Sequence, residues 1–318
     1  MYESKEMRAV MADWLKEKMA EDEKLVVIDA DLARANGTLG LRKEFPDRAL
    51  DVGIAESNMA SVAAGLSSYG FKPFIFTFCP FATRRICDQV TISIVYAKQN
   101  VKIVGTDPGI AAAFNGGTHM TLEDIGVMRS IPGMVIYEPA DGAQLAKALP
   151  QIYNYDKPVY IRLFRKVPAK TYFDRDDYEF NLFQADIMRE GKDVTLFASG
   201  VEVKEAMDAA DILAKEGFSA EVINIHTIKP LDTLTVITSV RKTGCAVSCE
   251  NHNIIGGLGS AVAQALSQDY PVPLEYIGMK DCFSEVGKTD YLVKKYGMDA
   301  ESIVNAAKKS MRKKGRRS

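Results

Sequence analysis

Short apolar runs of strand length recur along the chain, each followed by a stretch of helical period, and this alternation restricts the fold more than any single motif. Strands are expected at 25–30, 49–54, 73–78, 101–105, 134–137 and 158–163, with helices at 4–20, 56–69, 82–98, 121–130 and 141–154. Such alternation predicts a mostly parallel sheet with helices on both faces. From Tyr172 to Lys192 it lapses into an acidic, aromatic stretch without a period. It restarts at DVTLFASG, with strands at 193–200, 219–225, 244–249 and 273–277 and helices at 201–216, 231–241 and 257–268. The 318 residues are therefore expected to form two doubly wound, mostly parallel α/β domains, 1–176 and 193–318, joined by a linker at 177–192. The final KKSMRKKGRRS reads as a basic, frayed and solvated helix end.

Composition removes several function classes. A net charge of −2 argues against a nucleic-acid partner. The N-terminal MYESKEMRAVMADWLKEKMAEDE is charged and helical in pattern, and no uninterrupted apolar run approaches a membrane span, so a cytoplasmic protein without membrane contact is expected. Five cysteines, at 79, 87, 245, 249 and 282, lie in apolar or mixed segments, as buried free thiols do. Cys245 and Cys249 fall on an expected strand with only His252 nearby, which does not make a metal site. GGLGS at 256–260 lacks the spacing of a dinucleotide-binding loop.

Four features could carry chemistry. Glu56 follows an extended apolar segment and opens a helix of small and apolar residues in DVGIAESNMASVAAGLSSYG (51–70), where the strand end of an open parallel sheet binds ligands. A favourable first-turn charge is its other reading. Phe78 and Phe81 leave the strand FIFTF as core residues or as a flat apolar face. His119 follows a glycine pair that lets backbone approach a ligand closely. Asp31 and Leu32 begin the loop after the first strand, in VIDADL.

Taken with PFIFTFCPFATRRICDQV (73–90) and GGTHMTLEDIGVMRSIPGM (116–134), the 51–70 stretch resembles the pyrimidine-binding domain of transketolases and 1-deoxyxylulose-5-phosphate synthases. KPLD (229–232) and CENHNIIGGLGSAVAQAL (249–266) resemble the C-terminal domain of the same thiamine diphosphate enzymes. Nearly the whole chain is covered, in matching order, and the resemblance is to the C-terminal subunit of a split transketolase. It implies that Glu56 is the catalytic carboxyl that hydrogen-bonds N1′ of the cofactor pyrimidine, a role served by an apolar setting. By the same resemblance Phe81 stacks on that ring with Phe78 beside it. Asp31 reaches the cofactor environment across a subunit contact, and Leu32 is the apolar wedge that folds the cofactor. His119 hydrogen-bonds the sugar and relays protons. Arg85, Asp88 and Gln89 read as surface or dimer contacts, and His226 and His252 as packing or interface residues.

On the substrate side, Arg165 resembles the family's phosphate-binding arginine, with Asp107, Asn115 and His119 nearby. Ala35, Asp107 and Asn115 stand where transketolases commonly have a serine, a histidine and an aspartate, and Phe114 replaces an acidic residue. A carboxylate at 107 would repel a phosphate, so an unusual or differently phosphorylated ketose is expected as donor. The chain also lacks the GDG motif that anchors the diphosphate and its metal. The resemblance then implies a partner, the N-terminal transketolase subunit, which binds Mg2+, together with self-association into a dimer and a heterotetramer with two copies of each chain. Rival readings are a 1-deoxyxylulose-5-phosphate synthase-like or 2-oxoacid dehydrogenase-like beta subunit, and a non-catalytic interaction subunit. Retention of Glu56, Phe81 and His119 argues against the last.

Overall fold

A computed structural model describes residues 2, 4–168, 173–174 and 176–315. The first half runs through α1 (Met7–Glu21), β1 (Leu25–Asp29), α2 (Ala33–Asn36), α3 (Leu39–Glu44), β2 (Ala49–Asp51), α4 (Glu56–Ser68) and β3 (Lys72–Phe78). A single turn, α5 (Cys79–Ala82), leads through a 3-10 turn at Arg84–Ile86 into a π-helical run at Gln89–Tyr96 and then β4 (Lys102–Thr106). A 3-10 segment at Gly109–Asn115, α6 (Asp124–Ser130), β5 (Val135–Tyr137), α7 (Gly142–Asn154) and β6 (Val159–Leu163) follow. The single helix expected at 82–98 is therefore cut at Thr83, and the run after it passes from 3-10 to π geometry. Thr83 leaves helical dihedrals (φ −122°, ψ −85°), and the β-branched run after it has little preference for α-helix.

The second half comprises β7 (Asp186–Arg189), β8 (Val194–Ala198), α8 (Glu202–Lys215), β9 (Ala220–Asn224), β10 (Thr227–Lys229), α9 (Thr233–Thr243), β11 (Ala246–Asn253), α10 (Leu258–Asp269), β12 (Leu274–Met279), α11 (Thr289–Lys295) and α12 (Ala300–Lys314). Among the described residues the strands form a seven-stranded sheet, β10-β5-β6-β4-β3-β1-β2, and a five-stranded sheet, β12-β11-β8-β9-β7. All pairings are parallel except those of the edge strands β10 and β7. Side-chain alternation sends Leu25 and Val27 of β1 into one hydrophobic cluster and Val26 and Ile28 into another, which fixes helices on both faces. The first of those clusters continues into the second sheet through Val194, Leu196 and Ala198. No described helix is long and apolar enough to cross a membrane.

Three features differ from expectation. The stretch 177–192 carries β7, which pairs antiparallel with β9. β10 belongs to the first sheet, with Thr227 opposite Tyr137, although it lies beyond β9 in the chain. The basic C-terminus is a docked helix as far as Lys314, with 316–318 outside the described residues. Ile303, Val304 and Ala307 bury one face of α12, Lys309 and Lys313 pair with Glu275 at 2.7 and 2.5 Å, and Lys314 donates to the Thr243 carbonyl. That apolar face begins upstream of the lysine cluster, so the tail continues an amphipathic helix.

A buried polar cluster joins the two sheets. Arg162 of β6, fully enclosed, donates to Asp124 (2.7 and 3.1 Å), to Glu138 (2.5 Å) and to the Asn251 carbonyl of β11 (2.7 Å). Ser199, after β8, donates to the other Glu138 oxygen at 2.8 Å. At Gly109, φ +54°, a Cβ would lie 2.1 Å from Asn251 Oδ1, so the loop after β4 meets β11 at a point where only glycine fits.

Candidate active site

Apart from Phe78, the last residue of β3, each residue singled out in the first half lies on a loop or helix start after the C-terminal end of a parallel strand, the ligand-binding edge of an open α/β sheet. Asp31, Leu32 and Ala35 follow β1, Glu56 follows β2, Phe81 and Arg85 follow β3, which ends at Phe78, and Asp107, Asn115 and His119 follow β4. Arg165 follows β6. Asp51 pins two of these loops together, accepting from the backbone N–H of Gly53 at 2.7 Å and of Asp31 at 3.1 Å and pairing with Arg42. Gly53, φ +73°, makes the turn that brings Glu56 to the start of α4.

Glu56 is 4% exposed, and its Oε1 accepts from Arg85 Nη1 at 2.6 Å. Arg85 is more exposed, at 43%, and its guanidinium carbon lies 3.7 Å from the Phe81 ring centroid. The arginine set aside in the sequence as a surface contact thus lies between the buried carboxylate and the aromatic face. Its placement depends on the break at Thr83, which interrupts the expected helix.

Phe78, Phe81 and His119 form a three-ring cluster, with centroids 6.2 Å apart for the phenylalanines and 5.5 and 5.3 Å from the imidazole. His119 Nδ1 is 2.8 Å from Thr118 Oγ1. Beyond Phe78, the Arg165 guanidinium lies 5.3 Å from that ring and its Nη2 is 2.8 Å from Asp107 Oδ2. Asp107 is 1% exposed with φ +57°, and burial pushes its carboxyl pKa up against the opposing pull of Arg165. Arg165 Nη1 and Arg8 Nη1 both donate to the Ala35 carbonyl, at 3.2 and 2.8 Å. Glu56, Arg85, Phe81, His119, Phe78, Arg165 and Asp107 thus form one continuous row. Among the described residues, no hydrogen bond, ion pair or ring contact joins the side chains of Asp31, Leu32 or Asn115 to it.

Sequence reasoning passed over Asp29. The last residue of β1, it is 2% exposed and accepts from Asn36 Nδ2 (2.9 Å) and Thr38 Oγ1 (2.6 Å), which orders the Asp31–Ala35 loop. Burial pushes its carboxyl up to about 6 against those two hydrogen bonds. The available signal was an acidic residue ending an apolar strand, with asparagine and threonine seven and nine residues on. The five cysteines are free, but Cys282 is exposed and Cys87 half-buried, so only Cys79, Cys245 and Cys249 are buried as expected. His226 and His252 are fully buried.

The row can seat a flat, hydrogen-bonding aromatic ring. Arg85 occupies that place: a planar group that lies over Phe81 and is hydrogen-bonded to Glu56, where a flat ring would have to sit to rest on Phe81 and meet the carboxyl at its edge. The residues present therefore fit the pyrimidine half of thiamine diphosphate. Among the described residues no group of three or more histidine, cysteine, aspartate or glutamate side chains could hold a metal ion.

Comparison with known proteins identifies the family. The family model described as transketolase, pyrimidine binding domain, matches residues 3–169, and the transketolase C-terminal domain matches 184–303. The chain is 51% identical to the 6-deoxy-6-sulfo-D-fructose transketolase subunit SqwH of Clostridium sp. (strain MSTE9), over 95% of this chain and 93% of that one. It is 39% identical to a putative transketolase C-terminal section of Methanocaldococcus jannaschii, over 97% of each. A solved structure described as a split-gene transketolase, inactive beta4 tetramer, superposes with a TM-score of 0.88 at 39% identity, covering 97% of this chain and 99% of the other. The chain belongs to the transketolase family of thiamine diphosphate enzymes, as the split-transketolase subunit that carries the pyrimidine-binding and C-terminal domains.

Proposed function

We propose that this cytoplasmic chain transfers a two-carbon ketol unit from a ketose with an anionic terminus to an aldose, in a site completed by a separate N-terminal subunit that holds the diphosphate and Mg2+. The observation that carries this reading is the seat between Glu56 and Phe81, now filled by the Arg85 guanidinium. Bound thiamine diphosphate supplies the nucleophilic carbon and electron sink that ketol transfer requires. Glu56 hydrogen-bonds the pyrimidine N1′ and holds a proton there, while Phe81 and Phe78 orient the ring. Leu32 supplies an apolar wall and Asp31 a contact at the subunit boundary. His119, half-buried on the aromatic wall, hydrogen-bonds the ketose hydroxyls and carries protons at its imidazole. Asn115 contributes a further hydroxyl contact, and Arg165 binds the terminal anion.

The donor is a sulfonated ketose of the 6-deoxy-6-sulfofructose type. The relative of that name and the three departures at Ala35, Asp107 and Asn115 support this choice over pentose phosphates. Ile54 and Phe114, 76% and 68% exposed, leave apolar surface beside Glu56 and His119 for a second subunit to cover. The inactive state of the solved beta4 relative supports a need for that subunit. The assembled enzyme is a heterotetramer built on a dimer of this chain.

Mixing the purified chain with a partner subunit and following ketol transfer from 6-deoxy-6-sulfofructose tests the reading. Activity is expected only in the mixture, with added thiamine diphosphate and Mg2+. Comparable turnover by this chain alone overturns the two-subunit site, and a preference for xylulose 5-phosphate overturns the donor.

A further inference from the structure

Arg165 has a buried counter-charge. Its Nη2 is 2.8 Å from Asp107 Oδ2, its Nη1 is committed to the Ala35 carbonyl, and its side chain is 16% exposed. Arg8, which reaches the same carbonyl at 2.8 Å, is in turn paired through Nε with Glu6 at 2.8 Å. Arg165, Arg8 and the exposed Lys166 thus stand against two carboxylates, Asp107 and Glu6, at the substrate end of the row, and Arg165 and Asp107 form its buried pair. Asp107 cannot turn outward to meet a ligand. It is 1% exposed and held at φ +57° at the end of β4, and neither of its oxygens reaches solvent or receives a well-aligned hydrogen bond. It therefore acts on a ligand only through the field around Arg165.

A charge-balanced pair of this kind discriminates by ligand charge. A phosphate monoester carries between one and a half and two negative charges near neutral pH, its second ionisation falling near pH 6. A sulfonate carries a single charge and has no second proton to lose. Each further negative charge on the ligand meets the Asp107 carboxylate in a partly desolvated setting, where such repulsion is screened far less than in water. Three oxygens remain available to Arg165 in either case, so hydrogen-bonding capacity does not separate the two anions.

We propose that Asp107 is a positioning residue that sets terminal-anion selectivity, by offsetting the charge of Arg165 so that the site accepts a monoanionic sulfonate and rejects a dianionic phosphate or phosphonate. This rests on the sulfonated-ketose reading above. It assigns the selectivity to one residue of this chain and to charge rather than shape.

The test uses the reconstituted two-subunit enzyme and two donors of one skeleton, 6-deoxy-6-sulfofructose and 6-deoxy-6-phosphonofructose, which differ at the terminus in charge. Wild type is expected to favour the sulfonate in kcat/KM by about 10- to 100-fold at pH 8. The gap should narrow toward pH 6 as the phosphonate takes up its proton. Asp107→Asn keeps the shape, and asparagine tolerates positive φ, so the backbone is not the variable. In that variant the ratio should fall about tenfold, through a lower KM for the phosphonate at little-changed kcat, and its pH dependence should flatten. Equal losses for both donors with the ratio unchanged would show a structural role and overturn the proposal. Wild-type indifference between the donors overturns it while leaving ketol transfer intact. Failure of wild type to use either donor, with transfer from another ketose, overturns the donor reading and the proposal together.

Discussion

Replacing Arg85 by alanine should tighten cofactor binding, although the residue contacts both groups that the cofactor is expected to use. Arg85 Nη1 is 2.6 Å from Glu56 Oε1, and its guanidinium covers the Phe81 face at 3.7 Å. A pyrimidine stacked on that face and bonded to Glu56 must displace it, so both contacts are lost on binding. A cation over an aromatic ring at an exposed site contributes about 0.5–1 kcal/mol. The ion pair adds about 0.5–1 kcal/mol, at the level of exposed pairs, because Arg85 is 43% exposed. Together about 1–2 kcal/mol opposes binding, equivalent to a Kd about 5- to 30-fold lower in Arg85→Ala. The variant also leaves Glu56, 4% exposed, without its counter-charge, which lowers the stability of the free subunit and acts in the same direction. Calorimetric titration of thiamine diphosphate into wild-type and variant complexes at fixed Mg2+ measures the effect. Arg85→Lys, which keeps the charge but loses the planar stack, should fall between them. An unchanged or higher Kd in Arg85→Ala would refute displacement and make Arg85 a ligand of the bound cofactor.

Three further outcomes are expected. Glu56→Gln should leave folding and assembly intact but slow hydrogen–deuterium exchange at C2 of the bound cofactor by about 10²- to 10⁴-fold; wild-type exchange with cofactor fully bound would remove Glu56 from the chemistry. Phe81→Ala should weaken cofactor binding by about 1–3 kcal/mol through lost stacking and a cavity, with the fold retained; an unchanged affinity would take the ring out of the site. His226 is held neutral by burial, its pKa pushed down from 6.5 to about 4 against the Gln184 carbonyl and Asp232, which favour the cation. The unfolded chain therefore binds the extra proton as pH falls through 6.5, and stability is lost between there and about 4, by about 2 kcal/mol at pH 5. Urea midpoints at pH 7 and 5 should show a drop that His226→Gln largely removes, and an equal drop in both proteins would assign it to other groups.

The strands with fully buried runs were legible because an alternating sheet faces apolar helices on both sides, as LVVID and VYIRL show. β7 and β10 were not. DIMR is half-exposed at a sheet edge, and the three residues of TIK carry too little pattern to announce a strand, so both depend on partners distant in sequence. At the site, Glu56, the two phenylalanines and His119 could be chosen because each sits in a motif at the end of a strand, and Arg165 through the family resemblance alone. Arg85 was misassigned and Asp29 passed over. One depends on where a helix breaks, the other on side chains seven and nine residues ahead that fold back over it. The lysines of α12 were misread because charge density hides an amphipathic face whose apolar members lie earlier in the chain.

The position of β10 limits how this protein can be divided. The chain leaves the second sheet after β9, lends three residues to the edge of the first, and returns at α9. A fragment ending in the 177–192 stretch would carry every catalytic candidate but would leave β5 as an uncovered edge, with Ile136 and Tyr137 beside unpaired backbone. Such an edge invites pairing between fragments, so the piece should clump on expression although its own sequence is complete as far as β6. Supplying residues 193–318 in trans offers the missing strand only as part of a folded second half. A gene broken at this seam would have to produce both pieces together, because neither half carries its own hem.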